Sequence, residues 1–125
     1  MVWYPTVDDV TCLNWIVLEM SRDKHPHKLL GSLEGIEAII EKVECEEDKG
    51  LIYQAALLMK SLAGPHIFDG ANHRTAYAVA KSFLKRNGRC FRVNTLKKAY
   101  PFIKNVETRS IDEIERWIEH GEEKL

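Results

Sequence analysis

The sequence lacks the features that mark secreted, membrane and zinc-ribbon proteins. Its three cysteines, Cys12, Cys45 and Cys90, are widely spaced and form no Cys-x-x-Cys pair. We therefore expect neither a disulfide framework nor a zinc ribbon, and we predict a reducing, cytoplasmic setting. No apolar run approaches the ~20 residues of a membrane span, so no membrane partner is predicted. The opening MVWYPTVDD has neither the basic segment nor the long apolar segment of a secretory signal.

An excess of either charge is also missing. The formal net charge is −1 over 125 residues, which gives no electrostatic reason to expect a nucleic-acid partner. This length and a hydrophobic fraction of 45% suit one globular core. Because no repeat or linker divides the chain, we predict a single domain over residues 1–125. The acidic run Glu44–Asp48 is expected to be a solvated helix end and turn.

Helical periodicity dominates every long segment, which predicts an all-α bundle of about six helices. Thr6 and Ser32 are expected to cap the first two helices, and Ser110 with Glu113 forms a capping-box pattern before the last. The other three helices are predicted from about Gly50 to Ala63, from Asn72–Arg74 to Asn87-Gly88, and from about Asn94.

Turn residues and apolar spacing add detail to this prediction. The loop around Pro26, residues 25–32, is expected to be an exposed loop or a short hairpin. Gly64-Pro65 should end the third helix, with Gly64 in the left-handed conformation that glycine tolerates. In the first helix the apolar residues at helical spacing are Val10, Leu13, Ile16, Val17 and Met20.

Polar side chains gather at the junction of the predicted third and fourth helices. They are His66, Asp69, Asn72, His73 and Arg74. A helix amino terminus offers unpaired N–H groups and a partial positive charge, and small residues such as Gly70 and Ala71 let an anion approach the backbone. Arginine is unfavourable at such an end unless an anion neutralises both, so Arg74 favours a bound phosphate. A histidine before this helix, such as His66, suits a general base.

The same residues also have structural interpretations. His66 could bond a backbone carbonyl, and Asn72 could cap the fourth helix. Arg74 could pair with a carboxylate of the acidic run Glu44–Asp48. Phe68 is expected to anchor the loop in the core.

A zinc site is a further alternative. Its ligands would be His66, Asp69 and His73, with His25 and His27 as additional donors, since zinc accepts nitrogen and oxygen ligands. The chain has no His-Glu-x-x-His pattern, and the intervening Gly-Ala-Asn argues against one shared helical face.

The stretch HIFDGANHRTA resembles the signature of the Fic/Doc superfamily, H-x-F-x-[DE]-[GA]-N-[GK]-R, and more closely that of its death-on-curing (Doc) branch. The matching positions are His66, Ile67, Phe68, Ala71, Asn72, Arg74, Thr75 and Ala76. SFLKRNG also resembles the end of the family's motif helix, and GIEAII its segment before the buried helix. The resemblance covers most of the chain and implies a Fic-like bundle, with a flap near His27–Leu33 that aligns the target.

The resemblance also implies an activity. The chain would transfer phosphate or a nucleotidyl group from ATP, or a related nucleotide, to a Ser, Thr or Tyr hydroxyl of a target protein, with Mg²⁺ as the metal. His66 would be the catalytic base, and the nucleotide phosphate would be bound by Gly70, Ala71, Asn72, His73 and Arg74. The chain would be the toxin of a toxin–antitoxin pair, with an antitoxin chain as partner. Whether it forms a homo-oligomer stays open.

Two positions depart from the family pattern. Gly70 stands where the family has an acidic residue that helps to hold Mg²⁺, and Asp69, one position earlier, is the substitute metal ligand we consider. His73 replaces the usual glycine or lysine. A catalytically impaired Fic-fold binding module is therefore the alternative function. Because SLEGIE places Glu37 one position late for the family's [ST]-x-x-x-E-[GN] inhibitory motif, restraint would come from a separate antitoxin.

Overall fold

The computed structural model describes residues 1–121, which contain six α-helices, two short 3-10 turns and no strand. The predicted all-α bundle is therefore confirmed. In chain order the helices are α1 (Val7–Met20), α2 (Leu33–Glu44), α3 (Leu51–Ala63), α4 (Asn72–Arg86), α5 (Leu96–Ile103) and α6 (Ile111–His120). The 3-10 turns are Glu47–Lys49 and Val106–Thr108. None of the helices in this part of the chain is both long and apolar enough to cross a bilayer.

Hydroxyl side chains cap four of these helices. Thr6, Ser32 and Ser110 accept hydrogen bonds from backbone N–H groups in the first turns of α1, α2 and α6, as predicted. Helix α5 is capped by Thr95, one residue after the predicted start at Asn94. These caps satisfy N–H groups that have no intrahelical acceptor, and they fix where each helix begins.

Helix α3 lies at the centre of the bundle and packs against α2, α4 and α6. Its buried residues include Ala55 and Ala56, and α4 contributes Ala76 and Ala80, all with no exposed surface. Small side chains on both helices let their backbones approach closely. The loop that joins α3 to α4 therefore begins and ends on the two most firmly packed elements.

The inward face of α1 differs from the prediction. Val10 and Val17 are buried as expected, but Ile16 is 44% exposed and Met20 is 81% exposed. Asn14 takes a place on the buried face instead, at 3% exposure. The apolar spacing identified the helix correctly but not the side of it that packs against α4.

Residues 25–32 form a loop, which we call the flap segment, and most of its backbone hydrogen bonds join it to the α3–α4 loop. The N–H of Leu30 donates to the carbonyl of Ile67 at 2.8 Å, and the N–H of Asp69 donates to the carbonyl of Lys28 at 3.0 Å. The predicted flap loop is thus present, but it is not a hairpin. These bonds fix the flap segment alongside the polar junction.

Candidate functional site

Two residues in the left-handed backbone region shape the α3–α4 loop. The φ angle is +48° at His66 and +61° at Ala71. Gly64, which was predicted to be left-handed, is right-handed with φ of −75°, so that prediction is wrong. A non-glycine residue in this region costs about 1–3 kcal/mol, and such strain concentrates at functional sites. One of the two left-handed residues is His66 itself, and its imidazole is exposed.

The loop is closed by the side chain of Asn72. Its Nδ2 donates to the carbonyl of Phe68, and its Oδ1 accepts from the N–H of Phe68, both at 2.9 Å. Asn72 is the first residue of α4 and not its cap, so the predicted capping role is wrong. Phe68 is buried, at 5% exposure, which confirms the predicted anchor. Together the two residues fix the loop between His66 and α4.

The first turn of α4 has no side-chain cap. Ala71 stands at the N-cap position, and its methyl group cannot accept a hydrogen bond. The N–H groups of Asn72, His73 and Arg74 also have no intrahelical acceptor, because the ladder begins with Thr75, whose N–H donates to the carbonyl of Ala71 at 2.8 Å. This end of α4 can therefore bind an anion.

Arg74 is paired with Asp23, a residue just after α1, with 2.5 Å between Nη2 and Oδ2. The prediction that Arg74 could pair with the acidic run Glu44–Asp48 is therefore wrong. Asp23 also accepts from the backbone N–H of His25 at 2.9 Å and lies 2.5 Å from Nδ1 of that ring. The pKa of Asp23 lies well below its usual range. The largest cause is the hydrogen bond from the backbone N–H of His25, and the bonds from Arg74 and from the His25 imidazole come next. The Asp23 carboxylate is therefore ionised at neutral pH and is paired with the Arg74 guanidinium.

Position 70 has no room for a side chain. A Cβ atom on Gly70 would lie 2.6 Å from Cγ and 2.7 Å from Cβ of His25. The imidazole of His25 thus fills the space of the acidic position in the Fic/Doc pattern. A carboxylate at this position could hold Mg²⁺ only if the histidine moved.

We expect a Gly70→Ala substitution to destabilise the protein by about 1–3 kcal/mol, because the methyl group would overpack against His25. A second substitution, His25→Ala, should recover at least about 1 kcal/mol of that loss as a coupling energy. Urea unfolding of both single variants and the double variant measures it. Gly64→Ala is the matched control, since its Cβ would meet no atom closer than 3.7 Å. Additive losses from Gly70→Ala and His25→Ala would contradict the proposed contact.

His73 is committed to Glu107, in the second 3-10 turn. Its Nε2 lies 2.9 Å from each oxygen of that carboxylate. Burial raises the pKa of Glu107, but the hydrogen bond with His73 and a backbone bond outweigh this effect, so the pKa lies below its ordinary value. Glu107 is therefore anionic at neutral pH and holds His73 against the second 3-10 turn.

The zinc alternative has no support in this arrangement. Among residues 1–121, no three His, Cys, Asp or Glu side chains are placed to hold a metal ion. His73 is bonded to Glu107. Nε2 of His27, in the flap segment, lies 3.2 Å from Oε1 of Glu19 on α1. The candidate ligand Asp69 is thus left without a second or third ligand beside it.

Sequence reasoning missed three residues that hold the site together. Asn14 donates from Nδ2 to the carbonyl of Gly70 and to Oγ1 of Thr75, both at 3.0 Å. Its signal was a polar residue within the apolar spacing of α1. Asp23 and Glu107 gave no local signal of these roles, because Arg74 lies 51 positions from Asp23 and His73 lies 34 positions from Glu107.

The site brings together an uncapped helix end and an exposed imidazole. His66 stands six residues before Asn72, the first residue of α4, and Arg74 lies in the first turn of that helix. A scan against protein-family models and a search of curated proteins each found no match to the chain.

Proposed function

We propose that the protein is a Doc-like transferase that moves a phosphate or nucleotidyl group from ATP to a Ser, Thr or Tyr hydroxyl of a target protein. The observation that supports this is one short loop that carries an exposed His66, an internal clamp from Asn72 and an uncapped helix end with Arg74. All three residues stand at matching positions of the Fic/Doc signature. In this proposal the chain is the toxin of a toxin–antitoxin pair, and a separate antitoxin restrains it.

His66 acts as the base in the proposed transfer. Its imidazole takes the proton of the target hydroxyl while the oxygen forms a bond to phosphorus. The electrons of the broken P–O bond leave with ADP in phosphate transfer, or with pyrophosphate in nucleotidyl transfer. Because this chemistry depends on positioning and charge stabilisation, a fixed loop and a base at its exposed edge are suited to it.

The phosphate charge is held by the start of α4. The N–H groups of Asn72, His73 and Arg74 supply the fixed dipoles, and the Arg74 guanidinium supplies the formal positive charge. Asp23 contacts Nη2 of this guanidinium, and a guanidinium has five donors in all. Phosphate therefore binds at the remaining donors of Arg74 or takes the place of Asp23.

The residues present do not fit a preformed Mg²⁺ site. Mg²⁺ is usually held by one or two carboxylates together with substrate phosphates. Position 70 is filled by the ring of His25, and Asp23 is bound by that ring and by Arg74. Asp69 is then the carboxylate of the loop that remains for a metal ion. The proposed transfer therefore depends on His66, Arg74 and the backbone N–H groups.

The filled position 70 favours a second candidate function, a Fic-fold binding module with impaired catalysis. Such a module would bind a nucleotide at the start of α4 without transferring any part of it. The contact between Gly70 and His25 is the observation in its favour. Removing His25 while adding an acid at position 70 separates the two functions.

The test uses ATP labelled on the α- or the γ-phosphate, incubated with the purified protein and a bacterial lysate. Transfer of the γ label would assign phosphate transfer, and transfer of the α label would assign nucleotidyl transfer. Saturable ATP binding with neither label transferred would assign the binding module. A gain above about tenfold in Gly70→Asp/His25→Ala would mean that the native enzyme is impaired. Neither binding nor transfer would contradict both functions.

A further inference from the structure

A groove of about 420 Å³ lies between α1 and α4. Its apolar lining includes Leu13, Ile16, Val17 and Met20 from α1, and Tyr77 and Ala78 from α4. Small-molecule sites in proteins are concave, largely apolar and roughly 300–1,000 Å³ in volume. The groove therefore has the size and the lining of a ligand site, and Arg74 is the one residue of its lining that also takes part in the proposed transfer.

The rim of the groove carries apolar side chains that the fold leaves in water. Ile16 is 44% exposed and Met20 is 81% exposed, and both belong to the face of α1 that the sequence predicted to be buried. Contiguous exposed apolar surface beside a concavity marks a binding surface more often than scattered single residues do. These two side chains are placed to cover an apolar ligand from one side.

Every charged side chain that lines the groove is cationic: Arg74, Lys81 and Lys85. They span roughly 16 Å along α4, at 1.5 Å per residue. Arg74 is paired with the Asp23 carboxylate, whereas the Lys81 ammonium donates to the neutral carbonyl of Asn94 and keeps its charge. Within residues 1–121 the ammonium of Lys85 has no ion-pair or hydrogen-bond partner.

We propose that this groove binds a small amphiphile with one anionic head group and an alkyl chain, of the kind represented by a medium-chain carboxylate. The chain lies between α1 and α4 against Val17 and Ala78, and the head group pairs with Lys85. Lys85 and Lys81 give this end of the groove the positive charge that matches an anionic head group. A groove of about 420 Å³ fits a small ligand and is too small for a whole helix, so the small ligand is favoured.

Calorimetric titration of the whole chain with decanoate, decan-1-ol and decyltrimethylammonium tests the proposal. Decanoate should bind saturably, the alcohol about threefold to fivefold more weakly because it lacks the exposed ion pair, and the ammonium weakest of all. Amide NMR shifts on adding decanoate should centre on Leu13, Val17 and Ala78. No saturable binding of decanoate, or equal binding of all three probes, would overturn the proposal.

Two variants locate the ligand. Lys85→Gln should remove the preference for decanoate over decanol, while Lys42→Gln, an exposed lysine on α2, should leave it intact. Ala78→Phe should fill the groove and weaken all binding at least tenfold, with Ala38→Phe on the exposed face of α2 as control. Unchanged binding in Lys85→Gln and Ala78→Phe would overturn the site, as would capture of an acidic amphipathic peptide in place of decanoate. His66→Ala should bind decanoate normally, since this site does not depend on transfer.

Discussion

The His66→Ala protein is expected to transfer label from ATP to its target about 10²–10⁴ times more slowly than the wild type, because the attacking hydroxyl loses its base. The side chain is exposed and accepts none of the hydrogen bonds that hold the loop. The free energy of unfolding should therefore change by less than about 0.5 kcal/mol. Initial rates of label incorporation, measured beside urea unfolding, give both quantities.

The matched control for this variant is His120→Ala. His120 is an exposed histidine at the end of α6, outside the loop, and its removal should leave the rate unchanged. Equal labelling by the wild type and His66→Ala would remove His66 from the mechanism. A fall in rate that is matched by a fall in stability would assign it a structural role instead.

The Asn72→Ala protein is expected to lose about 2–4 kcal/mol of unfolding free energy. The substitution removes two hydrogen bonds and leaves the buried N–H and carbonyl of Phe68 without partners, at about 1–3 kcal/mol for each unsatisfied group. The loop should then lose its fixed shape, so transfer should fall as well. Urea unfolding followed by tryptophan fluorescence measures the stability, and the labelling assay measures the rate.

Asn94→Ala serves as the control for this second variant, because the Asn94 side chain is exposed and should contribute less than about 0.5 kcal/mol. Asn72→Asp adds a graded test. It keeps an acceptor for the Phe68 N–H but places a carboxylate against the Phe68 carbonyl, so it should destabilise as well. A loss below about 1 kcal/mol in Asn72→Ala would show that other contacts hold the loop.

Local signals in the sequence predicted much of the fold. The caps Thr6, Ser32 and Ser110 were found because a cap acts within three residues of itself. In α4 the apolar spacing admits one inward side, and Val79 and Phe83 on that side are fully buried. Where spacing admitted two sides, as in α1, tertiary packing chose between them.

The shape of the candidate site could be predicted only in part. The sequence pattern pointed to the loop and its polar residues, and the structure places Asn72 and Arg74 close to it in the first turn of α4. The sequence could not reveal that Asn72 clamps the loop or that Asp23 pairs with Arg74, because neither arrangement leaves a periodic pattern. The sequence also shows only a glycine at position 70, whereas in the structure the ring of His25 fills the space beside it.

The hydrogen bonds that join α1 and the second 3-10 turn to the loop also set the order in which the site is assembled. Asn14 meets Gly70 across 56 positions, and His73 meets Glu107 across 34. Closing such long loops costs entropy that helix formation alone does not repay, so these contacts form late in folding. A nascent chain that ends after α4 carries the complete signature HIFDGANHR but lacks Glu107, the partner that holds His73. For the proposed transferase, the site would then be completed only after residue 107 has left the ribosome and docked.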